Sequence, residues 1–354
     1  IITFWVQEQE AHMEALLLER MHKGLLKKQD NLAEWLHATP LGKKKVLLGP
    51  ATEQSVHACL NVIDDAISKV EAKTLGKCEV CHEVVETELL EVDYTACVCI
   101  EHLSKEERHQ LESELELAQD VQKTLLPQEV PNIPGLEIAA FSRPAQIVGG
   151  DYFDFVDFSN GLHGLAIADV AGHGVSASLH MASIQALLRT LVPINKSPAE
   201  VMRQVHKLFI HNIRFETFVT FFIGAFDAST KTLTFSNAGH QPPLVLHKNK
   251  SKKESVEMLR PTGAAIGLVE EAEFAEKTIE LHEEDLLVLY TDGVTEAVNL
   301  QNQEFGRERL IKLGQHVNNV PVKQMVQEIR KGLEEFSEGK PLADDTTIVI
   351  CKIK

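Results

Sequence analysis

The sequence is short of several things, and each shortage narrows the choices. No uninterrupted apolar run of about 18 residues occurs, so no membrane-spanning helix is expected. No charged-then-apolar leader ending in small residues marks a secretory signal. Basic residues are in deficit, with 35 Lys and Arg against 52 Asp and Glu and a formal charge of -17. Such a chain repels phosphate backbones and anionic lipid at long range, which argues against nucleic acid or membrane as partner. Cysteines number 6 in 354 residues, too few for a disulfide scaffold of this size. There is no internal repeat and no low-complexity segment. What remains is an ordinary globular mixture, long enough for two or three domains.

The first hundred residues read as a helical hairpin. Met13, Leu17, Met21 and Leu25 step at helical intervals, as do Val56, Leu60, Ile63, Ile67 and Val70, and the breaker-rich "TPLGKKKVLLGP" lies between them. The cysteines crowd next, with Cys78, Cys81, Cys97 and Cys99 followed by His102. Two ligand sets have zinc spacing: Cys78 and Cys81 with Cys99 and His102, or a set in which Cys97 replaces a later ligand. Four protein ligands leave no open position for water, so a structural Zn²⁺ is expected, in a reducing cytoplasm.

Ser104 with Glu107 has capping-box spacing and opens a further helix that runs to the break at Pro127. Within it Leu111, Leu115, Ala118, Gln122 and Leu125 follow the four-three step of a coiled-coil seam, which predicts a linker helix that packs on a partner surface, its own copy included. After "LLPQEVPNIPG" strands and helices alternate. "HGLAIADV" is a strand and "VSASLHMASIQALLRTLV" a helix, while Ser197, Pro198 and Glu200 open the next helix. "FVTFFIGAFD" and "KTLTFSNAG" form a hairpin, and "DLLVLYTD" and "TTIVICKIK" are later strands.

Carboxylates stand at the ends of these strands. Asp151 follows "VGG", Asp169 ends "GLAIAD", Asp292 ends "LLVLYTD", and Asp344 and Asp345 precede "TTIVI". Aspartate favours turns, yet so many at apolar strand ends let a sheet deliver several side chains to one point. Oxygen ligands without a nearby His and Cys set select Mg²⁺ or Mn²⁺. Two such ions about 4 Å apart can share one carboxylate and one bridging hydroxide, an arrangement that hydrolyses phosphate esters.

The ordered motifs "LAQDVQKTLLP", "VGGDYFDF", "IADVAGHGVSASL", "NAGHQPP", "LYTDGVTEA" and "DDTTIVI" resemble the PPM metal-dependent Ser/Thr phosphatases of the SpoIIE and RsbU branch, over roughly residues 115 to 354. The resemblance implies an α+β fold, an α-β-β-α sandwich of two antiparallel sheets flanked by helices. It also implies two Mn²⁺ or Mg²⁺ ions. Asp151 would bridge both, Asp169 and the Val170 carbonyl would hold one, and Asp292 and Asp344 the other. Asp344 is preferred to Asp345 because the family's aspartate lies three before the Ser or Thr that begins the last strand, here Thr347. The implied substrate is a phosphoserine or phosphothreonine on a STAS-type, anti-anti-sigma-like partner-switching protein, and the implied assembly a homodimer through the linker helix.

Around these residues, the glycines of "VGGD" read as clearing room for cations. Asp154 falls on the opposite strand face from Asp151 and reads as structural. His173 is either a general acid for the leaving alkoxide or a loop histidine, and His240 reads as architectural. No arginine stands where this branch's motifs would place one on phosphate.

A second resemblance lies upstream. "LGKCEVCHEVV" and "CIEH" on a helical hairpin resemble the DksA/TraR zinc finger, with His102 in place of its last Cys, although the hairpin tip is basic where that family is acidic. The expected domains are a hairpin with zinc finger over 1–103, a regulatory linker helix over 104–130, and a phosphatase domain over 131–354. The alternative function is a DksA-like transcription regulator or phosphoprotein-binding module that uses the phosphatase fold as a receptor.

Overall fold

The computed structural model describes residues 98–354 apart from 173, 211–216, 249–254, 318 and 341, together with 53–82 apart from 73, Val85, and scattered positions from His22 to Leu36. The chain divides into two compact units, Ile1–Glu112 and Ser113–Lys354.

In the first unit, helix α1 (Glu53–Glu71) buries Ile63, Ala66 and Ile67 with Leu25 and Leu75. Gln29 also donates to Asp64 at 2.6 Å, so the helical positions around Leu25 lie along α1. Leu25, Ile63 and Ile67 are thus where the helical spacing expects them. Met13, Leu17, Met21 and the "TPLGKKKVLLGP" connection lie outside the described residues.

Helix α2 (Lys105–Leu125) begins with the box its sequence announces: Glu107 N–H donates to Ser104 Oγ at 3.2 Å and Ser104 N–H to Glu107 Oε2 at 3.0 Å. The two bonds satisfy backbone donors that a helix start leaves unpaired.

The second unit is the expected α+β sandwich. One sheet has the order β1 (Leu136–Arg143), β10 (Thr346–Ile353), β9 (Leu286–Tyr290), β6 (Leu244–Leu246), β7 (Val256–Met258). The other runs β2 (Tyr152–Phe155), β3 (His163–Val170), β4 (Val219–Asp227), β5 (Thr232–Ala238), β8 (Lys277–Glu280). All neighbouring strands are antiparallel.

Side-chain alternation builds three apolar layers. Leu165 and Ile167 of β3 meet Val349 and Cys351 of β10 between the sheets. Ala166, Ala168 and Val170 of β3 face away, against helices α3 (Gly174–Leu191) and α4 (Pro198–Ile210). Ile348 and Ile350 of β10 face the other way, against α6 (Gly306–His316) and α7 (Val322–Ser337). With both faces covered, the central strands are apolar on both sides. A short helix α5 (Asp292–Thr295) follows β9 almost at once. Among the described residues no helix is long and apolar enough to cross a membrane.

Candidate active site

The antiparallel registers bring the strand-end acids together. Tyr152 lies opposite Ala168, so Asp151, one residue before β2, falls beside Asp169, and Asp169 in turn lies opposite Thr220 of β4. In the facing sheet Ile348 lies opposite Tyr290, and the pairing continues as Thr291 N–H to the Thr347 carbonyl at 3.1 Å. That continuation sets Asp292 alongside the Asp344–Asp345 turn. The sheets are cross-linked at this point: buried Thr291 donates from Oγ1 to Asp151 Oδ2 at 2.8 Å and accepts Thr347 N–H at 3.0 Å.

Asp345 organises the loop that leads to Asp151. Its carboxylate accepts Ala145 N–H at 2.7 Å and Gly150 N–H at 2.6 Å, with Asp151 N–H at 3.4 Å. Asp344 instead accepts Asp345 N–H at 2.8 Å and stays partly exposed.

The glycines therefore clear room for protein atoms rather than for cations. A Cβ on Gly149 would stand 2.2 Å from Asp345 Oδ2, and one on Gly150 would stand 2.9 Å from the Val170 carbonyl oxygen. Gly293 is equally committed, since its Cβ would meet the Asp345 carbonyl at 2.0 Å.

A profile of the family described as Stage II sporulation protein E (SpoIIE) matches residues 159–354, more than half of the chain. The chain belongs to the SpoIIE family.

Relatives agree with that placement. The chain is 29% identical over 247 residues to "Phosphoserine phosphatase RsbU" of Bacillus subtilis (strain 168), covering 70% of this chain and 72% of that one. It is 26% identical over 245 residues to "Phosphoserine phosphatase RsbP" of the same organism, where it spans 58% of the relative. Among solved structures, the SiaA-PP2C domain of Pseudomonas aeruginosa superposes with a TM-score of 0.60 at 20% identity, over 70% of this chain and 99% of that one, which establishes the fold. The catalytic class of this SpoIIE-family chain is accordingly that of a phosphatase.

Its acids are electrostatically frustrated without a cation. Burial, then the charges of Asp169 and Asp345, push the Asp151 carboxyl well above the usual carboxylate range. Burial, then Asp292, Asp344 and Asp345, raise Asp169 to about 8. Asp292 and Asp345 are raised in the same way, burial first. Each upward push comes from burial or from another carboxylate, and the charge of a divalent cation among them would oppose it. Hard oxygen donors and a neighbouring main-chain carbonyl suit Mg²⁺ or Mn²⁺ in particular.

Other residues singled out by sequence separate from this centre. Asp154, 1% exposed, is held by the Arg189 guanidinium at 2.7 and 2.8 Å and by the Tyr152 hydroxyl, which ties β2 to α3. Buried His240 pairs through Nδ1 with Thr220 Oγ1 at 2.7 Å, and its backbone is gripped by the side chain of Asn237. His173 lies outside the described residues.

Two participants, Thr291 and Glu296, carry no signal of their own in the sequence. Thr291 emerges only through register, whereas Asp345, expected as a neighbour of the centre, gains its role through the backbone of Ala145 and Gly150. Glu296 has its proton affinity raised by partial burial and by Asp292, Glu304 and Asp344, which marks it as a rim acid of the same centre.

In the first unit, Cys78, Cys81, Cys99 and His102 offer ligand atoms that all lie within 4.8 Å of one another. Cys81 Sγ is 3.9 Å from Cys99 Sγ, and His102 Nδ1 is 2.8 Å from Cys99 Sγ and 3.7 Å from Cys78 Sγ. Burial pushes the Cys78 thiol up, but backbone N–H groups of Cys81, Cys99 and Val80 outweigh it and hold the thiol at about 6. Three sulfurs and one imidazole at these separations are compatible with a tetrahedral Zn²⁺. Cys97, the alternative ligand, lies outside the described residues.

Proposed function

We propose that this chain is a regulated, Mn²⁺- or Mg²⁺-dependent protein serine/threonine phosphatase acting on a phosphorylated STAS-type partner-switching protein. The observation that carries the reading is the convergence of Asp151, Asp169, Asp292 and the Asp344–Asp345 turn from two facing sheets, with shifts caused by burial and by one another. In this reading Asp151, Asp169, the Val170 carbonyl, Asp292 and Asp344 would hold the two ions, Asp151 shared between them, Asp169 and Val170 on one side and Asp292 and Asp344 on the other. When bound, the ions neutralise phosphoryl charge and provide a nucleophilic water at neutral pH. Thr291 fixes the rotamer of Asp151, and Asp345 fixes the backbone before it, so the site's geometry is set before substrate arrives.

The N-terminal unit is proposed as a DksA/TraR-like helical hairpin over 1–103 with one structural Zn²⁺ on Cys78, Cys81, Cys99 and His102. The helix over 104–130 links it to the phosphatase domain, 131–354. Support for a regulatory link comes from Gln122, whose side chain donates to the Gly149 carbonyl at 2.6 Å and accepts Gly149 N–H at 3.0 Å. Gln119 donates to the Ile147 carbonyl at 3.0 Å beside it. A shift of this helix would move the backbone two residues from Asp151, which is the kind of two-state element a switch needs. A homodimer through this helix and a cytoplasmic setting complete the proposal.

The test is a panel of phosphorylated STAS proteins from the same genome, assayed with Mn²⁺ and Mg²⁺ against free phosphoserine. Selective turnover of one phosphoprotein is the expected result. Equal turnover of free phosphoserine would overturn the protein substrate.

A further inference from the structure

A second group of metal-ligating side chains lies at the far end of the β1-containing sheet. His247 follows β6, and His282 and Asp285 flank the turn that leads into β9. Asp285 precedes β9 and Asp292 follows it, so about 20 Å of strand separates this cluster from the aspartate centre.

The cluster is built rather than incidental. His247 and Asp285 are nearly fully buried, with His247 Nδ1 2.8 Å from Asp285 Oδ2. His282 Nδ1 stands 3.6 Å from the same oxygen, and one ligand atom from each of the three residues lies within 4.8 Å of the others. Backbone donors hold the carboxylate in place: His282 N–H reaches Oδ2 at 3.0 Å and Lys248 N–H reaches Oδ1 at 3.2 Å. The two imidazoles meet edge to face, with ring centroids 6.3 Å apart.

One atom is unexplained by this packing. His247 Nε2 is buried and makes no hydrogen bond, while Glu257 Oε2 waits 3.5 Å away. If Nδ1 carries the proton and donates to Asp285, Nε2 is an orphaned acceptor, buried away from water. If Nδ1 binds a cation instead, the proton must sit on Nε2, where it can be donated to Glu257. A ligating histidine that gives its other N–H to a carboxylate is the usual support of a protein metal site.

The geometry points to a transition-metal site of the two-histidine, one-carboxylate type, with His247 Nδ1, His282 Nδ1 and Asp285 Oδ2 as ligands and Glu257 orienting His247. Imidazole nitrogen with one carboxylate suits Zn²⁺, Ni²⁺ or Cu²⁺ rather than Mg²⁺. Tetrahedral zinc with ligands near 2.1 Å needs ligand atoms about 3.4 Å apart. The two distances to Asp285 bracket that value, and exposed His282 is free to supply the remaining closure. The bound ion would staple the end of β6 to the β8–β9 turn and leave open positions for water.

The test titrates Zn²⁺ into the full chain after one equivalent of Zn²⁺ has been supplied for the cysteine cluster and Mg²⁺ has saturated the aspartate centre. Wild type should take up one equivalent more than His282→Ala, an exposed change that leaves the fold intact. Glu257→Gln should keep the stoichiometry and bind about 10- to 100-fold more weakly. The ¹⁵N signal of His247 Nδ1 should move on zinc addition in wild type and stay fixed in His282→Ala. Identical titrations of wild type and His282→Ala, or an unmoved His247 signal, would overturn the site.

Discussion

At the scale of single residues, Asp344 and Asp345 divide two tasks that the sequence leaves side by side. Asp345 spends its carboxylate on the backbone of Ala145 and Gly150, whereas Asp344 keeps a partly exposed carboxylate at the centre. Asp345→Ala should cost about 2 kcal/mol of stability, because the N–H groups it satisfies lose their acceptor. Asp344→Asn should leave the denaturation midpoint almost unchanged and abolish metal-dependent turnover. Urea unfolding of both variants beside their rates checks this split, and a destabilised Asp344→Asn with full activity would reverse the assignment.

His240 gives a second test at this scale. Burial holds its imidazole down at about 4, against an ordinary value near 6.5. The unfolded chain therefore takes up a proton as pH falls through 6.5, while the folded chain resists until about 4. Stability present above pH 6.5 is lost across that window, by about 3 kcal/mol at roughly 1.4 kcal/mol per unit. Denaturation at a series of pH values should show a shallower acid loss for His240→Gln than for wild type.

At the scale of elements, helix α2 is where sequence and structure part most usefully. The seam at Leu111, Leu115, Ala118, Gln122 and Leu125 coincides with partly buried positions of α2, while Leu117 and Val121 are 65% and 51% exposed. Periodicity reveals which face is covered but not what covers it. From Gln119 to Leu125 the cover is the chain's own phosphatase unit, through Ile147, Gly149 and the core beneath Leu125. Gln122→Ala removes two hydrogen bonds to Gly149. If about 1 kcal/mol of that loss reaches the site, the apparent Mn²⁺ affinity falls about 5-fold. Metal titrations of turnover measure this, and an unchanged affinity would detach the helix from the site.

Strands β3, β4, β5, β9 and β10 are readable because apolar alternation and the terminal aspartates point the same way. Strands β1, β6, β7 and β8 are not: β6, β7 and β8 have only three or four residues and carry little periodic signal, and β1 mixes buried and half-buried positions without strict alternation.

At the scale of the whole molecule, the aspartates were legible as strand ends, but their convergence is a property of two sheets facing each other. No spacing within "VGGDYFDF" shows that Thr291, 140 residues away, donates to Asp151. Nor does the glycine pair reveal that its missing side chains make way for Asp345 and Val170. Local sequence marks the parts, and long-range pairing assembles them.

The centre that these pairings assemble is proposed to be that of a metal-dependent phosphatase. It is tested most directly by hydrolysis of an aryl phosphate at increasing Mn²⁺, wild type beside Asp292→Asn. Chelation should abolish turnover, Mn²⁺ should activate wild type saturably, and the variant should lose at least about 100-fold. Activity that survives chelation, or a variant as active as wild type, would contradict it.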